Sequence, residues 1–138
     1  MKFETFDFHP AVTAGIQAAG FAAPTPIQAK AMGPIMKQQD IMGLAQTGTG
    51  KTAAFVLPIL HRLLNRPAAR DRARVPRALI LTPTRELAEQ IHQAIRELGR
   101  QTRLKSTTIY GGVGITPQIQ KLKQIGRASC RERVCHRV

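Results

Sequence analysis

A chain of 138 residues with 43% hydrophobic and 21% charged side chains has the make-up of one folded domain, which excludes a disordered protein and a multidomain array. No apolar run reaches the ~18 residues of a membrane span and no basic-then-apolar leader opens the chain, so no membrane partner and a cytoplasmic location are expected. Twenty-one Lys and Arg against 8 Asp and Glu give +13, a bias that suits a polyanionic partner.

In chain order, the first predicted element is a helix over 10–19, where Pro10 suits the first turn, Val12 and Ile16 share a face and Gly20 can end it. A second helix starts at Thr25-Pro26, threonine as N-cap and proline at the first helical position. IMGLA (41–45) reads as a buried strand, followed by a glycine-bearing turn and a helix over 50–64 with Leu57, Leu60 and Leu64 on its apolar face. The stretch 66–77 is a basic, Pro-containing surface loop. ALILT (78–82) is the cleanest buried strand in the pattern. A helix follows over 85–98, with Leu87, Ile91, Ala94, Ile95 and Leu98 on one side and Gly99 as its stop. STTIY (106–110) is a third strand, Gly111-Gly112 a turn, and Thr116-Pro117 opens a last helix. Strands alternating with helices imply an α/β fold built on a parallel sheet.

The sharpest chemical feature is AQTGTGKT, Ala45 to Thr52, between a predicted strand and a helix N-terminus. Gly48 and Gly50 let the backbone curl so that successive N–H groups face one anion, and the helix adds its positive dipole end. Within this loop Ala45, Gln46, Thr47 and Thr49 complete the cradle, Lys51 reaches the outer phosphates and Thr52 offers its hydroxyl to Mg²⁺. The strict phosphate-loop pattern carries glycine where this chain has Ala45. His9, His61, His92 and His136 form no spaced pair, and Cys130, Cys135 and His136 lack zinc-site spacing.

AQTGTGKT with alanine at its head resembles motif I of DEAD-box RNA helicases. GFAAPTPIQ (Gly20 to Gln28) resembles that family's Q motif, with Phe3 as the aromatic 17 residues before its glycine. PTRELA (Pro83 to Ala88) resembles motif Ia, and Gly111-Gly112 the GG element that follows. The resemblance runs from about residue 3 to 124, and FAAPTPIQ with GGVGITPQ is most similar to the bacterial RhlE-like group. It implies a partial RecA-like domain: residues 1–29 a Q-motif region and 30–125 the front of the ATP-binding domain. ATP and Mg²⁺ are the implied cofactors and RNA the implied partner. For the base, Gln28 can pair in two-point fashion with adenine N6 and N7, with Phe3, Phe21 and Thr25 in the same site. Pro83, Thr84, Arg85, Gly111 and Gly112 are the implied RNA-backbone contacts, with Glu86 orienting Arg85. Taken without the family, TRE at a helix start is a plain cap with an acid in the first turn.

Hydrolysis needs a carboxylate pair and an arginine for the γ-phosphate. The 138 residues contain no DEAD tetrapeptide, no TPGR and no SAT, so no catalytic residue is assigned and the chain alone is expected to be inactive. Alternatives are a purely ATP- and RNA-binding module, a DNA-directed motor of the same superfamily, and a small-molecule kinase. Strands supplied by later sequence are expected to flank IMGLA, so marginal folding is expected. Residues 126–138 carry Arg127, Arg131, Arg133 and Arg137 against Glu132, +3 of the +13, and both cysteines. They show no strand or helix period. Their IGRASCRERVC stretch resembles one reading frame of a sequencing adapter, so an artefactual or disordered tail is expected.

Overall fold

The computed structural model describes residues 1–66, 76–127 and 133–137. A short 3₁₀ turn, Phe3–Phe6, precedes α1 (Pro10–Ala18), α2 (Pro26–Met36), α3 (Lys51–Asn65), β1 (Ala78–Leu81), α4 (Arg85–Leu98), β2 (Lys105–Ile109), α5 (Ile115–Arg127) and β3 (Arg133–Arg137). The helices start where the caps put them. His9 Nδ1 accepts the Ala11 N–H at 3.2 Å ahead of α1, and the Thr84 hydroxyl accepts the Leu87 N–H at 3.3 Å ahead of α4.

The three described strands form one parallel sheet in the order β1-β3-β2, with Ala78 opposite Val134 and Ser106 opposite Val134 on the other side. The α/β class and the parallel sheet therefore stand. The core lies among the helices: Val12 and Ile16 of α1, Met32 of α2, Val56, Leu57 and Leu60 of α3, and Ile91, Ile95 and Leu98 of α4. Ala78 and Ile80 of β1 pack against it. Gly15 sets how closely α1 meets α4, because a Cβ there would stand 2.0 Å from the Leu98 carbonyl oxygen.

Three expectations are corrected. Residues 41–45 are not a strand, and Met42 and Leu44 are 89% and 88% exposed. A strand exists only while a neighbour takes its N–H and C=O groups, and no described strand lies beside these residues. The segment is apolar enough to be buried but has nothing to be buried against. Second, ALIL is only half covered: Ala78 and Ile80 face the core while Leu79 and Leu81 are exposed, since alternate side chains leave opposite faces of a sheet. Third, α5 runs to Arg127 and Arg133–Arg137 is the central strand, where a tail without strand period was read. Parallel β1 and β2 each present a row of unmade hydrogen bonds, and one extended segment between them satisfies both. Most of the basic loop (67–75), and Cys130 with its neighbours, lie outside the described residues. Among the described residues no helix is long and apolar enough to cross a membrane.

Candidate functional site

The loop of Ala45 to Thr52 joins the extended 41–44 segment to α3, and its geometry follows from its two glycines. Gly48 (φ +80°) and Gly50 (φ +84°) both take the left-handed backbone that side chains resist. Gly50 is the N-cap of α3 and has a second reason to be glycine. A Cβ there would meet Gln28 Nε2 at 2.5 Å and Thr25 Oγ1 at 3.3 Å. The Thr49 hydroxyl donates to the Gln46 carbonyl at 2.7 Å, closing the loop on itself. The Lys51 ammonium donates to the Ala45 carbonyl, so its charge lies back across the head of the loop.

The start of α2 is fastened onto this loop. Gln28 Oε1 accepts the Thr25 N–H at 3.0 Å, the return half of a capping box. Its Nε2 donates to the Gly50 carbonyl at 3.1 Å, and the Thr25 hydroxyl donates to the Thr49 carbonyl at 2.8 Å. The Q-like segment and the phosphate loop are thus one hydrogen-bonded unit, spanning 22 and 24 residues of sequence. Gln28 is 3% exposed, so in this arrangement its amide serves the loop rather than an open surface. A buried amide with both ends engaged is worth more to the fold than a solvated one.

The aromatic assignment changes. Phe3 is 6% exposed and belongs to the core, because the 3₁₀ turn at the N-terminus folds its ring inward. Phe21 lies over it with ring centroids 6.3 Å apart and is itself exposed. Phe21, Gly50, Thr52 and Ala53 share a cavity of about 420 Å³ with Leu98 and Arg100. Gln28 does not line it. A second, apolar cavity of about 400 Å³ brings Lys51 and Thr52 next to Ile27, Ile41 and Leu87, so the phosphate loop and the start of α4 are neighbours although 41–45 forms no strand.

The loop fits a phosphate group on this structure's own terms. Two left-handed glycines, a helix start whose first N–H groups have no carbonyl one turn back, a lysine and a threonine hydroxyl converge there. Among the described residues no group of three His, Cys, Asp or Glu gathers that could hold a metal ion.

Pro83, Thr84, Arg85, Gly111 and Gly112 are all exposed, and the parallel sheet brings them together. β1 and β2 both run out at the same edge of the sheet, with β3 between them, which places Pro83 to Arg85 and Gly111-Gly112 at that edge. Arg85 lies over the Tyr110 ring with its guanidinium carbon 4.4 Å from the centroid. Glu86 makes no ion pair among the described residues, which corrects its role as the partner of Arg85. The carboxylate that matters is Glu89, one turn on: burial works to raise its pKa, but hydrogen bonds from the Tyr110 and Thr108 hydroxyls and the charges of His92 and Arg85 hold it below the usual range. Neither Tyr110 nor Glu89 was singled out from sequence. The signal available was the i, i+4 spacing of Arg85 and Glu89 on one helix face.

Comparison with known proteins follows the same lines. A DEAD/DEAH box helicase family profile matches residues 25–131. The chain is 50% identical over 125 residues to an ATP-dependent RNA helicase RhlB of Xanthomonas oryzae pv. oryzae, covering 90% of this chain and 22% of that protein. It is 47% identical over 123 residues to the RhlB of Klebsiella pneumoniae subsp. pneumoniae, covering 88% and 29% respectively. A crystal structure of a DEAD box protein from the hyperthermophile Methanococcus jannaschii superposes with a TM-score of 0.81 at 33% identity, over 99% of this chain and 34% of that one. The chain thus spans between about a fifth and a third of the length of these relatives.

Proposed function

Because the chain belongs to the DEAD/DEAH box helicase family, we propose that it is the ATP- and RNA-binding front portion of an ATP-dependent RNA helicase. Residues 1–29 form the base-recognition region and 30–125 the first part of a RecA-like nucleotide-binding domain. An artefactual origin for residues 126–138 remains part of the proposal on the adapter-like IGRASCRERVC stretch alone, although the family profile reaches residue 131 and Arg133–Arg137 form β3; the nucleotides encoding them test that origin directly. The observation that carries the proposal is the pair of hydrogen bonds from Thr25 and Gln28 to the carbonyls of Thr49 and Gly50. Through them, what sits at the base-recognition segment is felt at the phosphate loop.

In this reading Ala45 to Thr52 holds the phosphates of ATP. Lys51, which donates to the Ala45 carbonyl here, would hold the outer phosphates, and the Thr52 hydroxyl would be a ligand for Mg²⁺, which when bound neutralises phosphate charge. Phe21 offers its face to the base, with Phe3 stiffening it from below. Gln28 retains one amide hydrogen and one lone pair beyond its two bonds, and these are the groups proposed to distinguish adenine from guanine. Pro83, Thr84, Arg85, Gly111 and Gly112 hold RNA phosphates without reading sequence. No DEAD tetrapeptide lies in the 138 residues, so the chain by itself is proposed to bind and not hydrolyse, and unwinding belongs to the longer protein. A cytoplasmic location is part of the same proposal. So is membership of the RhlE-like group, which rests on FAAPTPIQ and GGVGITPQ alone, while the relatives above carry the name RhlB.

The test is nucleotide choice. The 138-residue chain should bind Mg·ATP over Mg·GTP in calorimetric titration, and Lys51→Ala should abolish binding. Gln28→Ala should cut the preference by on the order of 1–3 kcal/mol, the value of one two-point base contact. Equal affinity of the unmutated chain for the two nucleotides would sink the proposal.

A further inference from the structure

Arg85 stands in an unfavourable place for a cation. It is the first residue of α4, at the positive end of the helix dipole, and it is exposed, so the helix offers its side chain of four torsions only the attraction of Glu89 one turn on. Yet its guanidinium is placed, 4.4 Å from the centre of the Tyr110 ring. Tyr110 is in turn held at two points of its backbone. Its N–H donates to Gln118 Oε1 at 3.0 Å and its carbonyl accepts from Gln118 Nε2 at 3.1 Å. These two bonds imitate a strand partner at the point where β2 ends and the Gly111-Gly112 turn begins. Glu89 is fixed by the Thr108 hydroxyl at 3.0 Å, from β2, two residues before Tyr110. The backbone that carries the ring is therefore fixed, and the exposed Arg85 side chain rests its guanidinium on that ring.

We propose that Tyr110, anchored by Gln118, is a positioning residue that holds the Arg85 guanidinium ready for a phosphate of the RNA backbone. The proposal rests on the reading of Arg85 as an RNA contact, and it gives the elements after β2 a task besides contact: to fix an arginine that belongs to α4. A preplaced guanidinium loses less conformational freedom when it meets a phosphate. Tyr110 contributes through its π face rather than its hydroxyl, so phenylalanine can replace it and an aliphatic side chain cannot.

The experiment is a mutant cycle on the 138-residue chain, read by fluorescence anisotropy with a short labelled oligouridine at low salt. Arg85→Ala weakens binding. Tyr110→Leu weakens it about threefold, the size of an exposed cation–π contact, Tyr110→Phe restores most of the loss, and Tyr110→Leu adds nothing in the Arg85→Ala background. Loss of affinity on Tyr110→Leu of equal size in both backgrounds would mean that Tyr110 touches RNA itself, and overturns the proposal. So does an unchanged affinity for Tyr110→Leu where Arg85→Ala is weakened. An inert Arg85→Ala refutes instead the RNA-contact reading beneath it. A second readout needs no variant and no RNA: the Arg85 Nε–H resonance of the unmutated chain carries an upfield ring-current shift, kept in Tyr110→Phe. Its absence from the unmutated spectrum overturns the placement outright.

Discussion

Two glycines of the phosphate loop share one backbone conformation and differ in what surrounds them, which makes them a matched pair for measurement. At Gly48, φ +80°, a Cβ would meet nothing within 4 Å. Gly48→Ala should therefore show the left-handed penalty alone, about 1 kcal/mol. At Gly50, φ +84°, the same Cβ would stand 2.5 Å from Gln28 Nε2, closer than Cβ contacts are found. The amide must swing aside. It cannot do so while donating to the Gly50 carbonyl at 3.1 Å, and it is buried, so the bond is lost without water to replace it. That adds roughly 1–2 kcal/mol, for a total on the order of 2–3 kcal/mol in Gly50→Ala. Urea denaturation of dilute protein followed by circular dichroism measures both. The gap between the two variants is the quantity of interest, because it reports the link between Gln28 and the loop and cancels the backbone term. Equal destabilisation by the two substitutions would refute the reasoning, since it would leave the hydrogen bond with no share in the loop's stability. Gln28→Ala in the Gly50→Ala background should then cost much less than it does alone.

Other outcomes follow from particular contacts. RNA affinity should fall as salt rises, with a linear log–log slope in titrations at several ionic strengths, because phosphate contacts release counterions; salt-independent binding would exclude phosphate readout. Gly15→Val should destabilise the chain by on the order of 2 kcal/mol or more in the same urea assay, since the Leu98 carbonyl, 2.0 Å from the first added carbon, is backbone and α1 must move off α4. His61 accepts the His9 N–H at Nδ1 (3.0 Å), and burial followed by the His9 charge lowers its pKa below 6.5, Asp7 opposing. The unfolded chain thus takes up this proton first: the His61 contribution is complete above about pH 6.5 and is lost as pH falls from there toward the lowered folded value, so His61→Gln should flatten stability against pH in that window. Replacing Met42, Leu44, Leu79 and Leu81 with serine or threonine should reduce self-association in light scattering with little change in the urea midpoint, since none of the four is buried.

What the sequence made legible was local. Helix starts carried by Thr25-Pro26 and Thr84, the stop at Gly99 and the apolar stripe of α4 each depend on residues within a turn or two, and the structure places all of them within a residue or so of the reading. The phosphate loop was legible for the same reason: GTGK sets its own backbone. What failed depended on partners far along the chain. Phe3 reads as an isolated aromatic but is a core residue, because its environment is made by Phe8, by Phe21 and by the helices behind them. Thr108 and Glu89 meet because β2 lies beside α4, and no spacing rule joins positions 89 and 108. Gln28 was legible as a site residue but not in its structural service, for the Gly50 carbonyl it holds lies 22 residues away.

IMGLA and RVCHR show the strongest form of this dependence, and in opposite directions. IMGLA has the better strand composition, yet it lies outside the sheet with Met42 and Leu44 in solvent, while Arg133–Arg137, charged at both ends, is its central strand. β-propensity describes how a side chain suits a pleated, half-covered surface; it does not supply that surface. A parallel strand needs at least one neighbour to take its N–H and C=O groups, and is most stable with one on each flank. The gap between β1 and β2 offers Arg133–Arg137 both flanks, and the register runs unbroken from Ala78–Val134 to Leu81–Arg137. Residues 41–44 pair with no described strand; Gly43 meets Ile27, and Ile41 lines the cavity beside α2 and α4. The phosphate loop keeps its shape despite the unpaired segment before it, because its fixed points lie elsewhere, in the capping-box threonine and glutamine of α2 and in the first turn of α3. A loop fastened from the helix side can remain preorganised for an anion before its own strand has found a sheet.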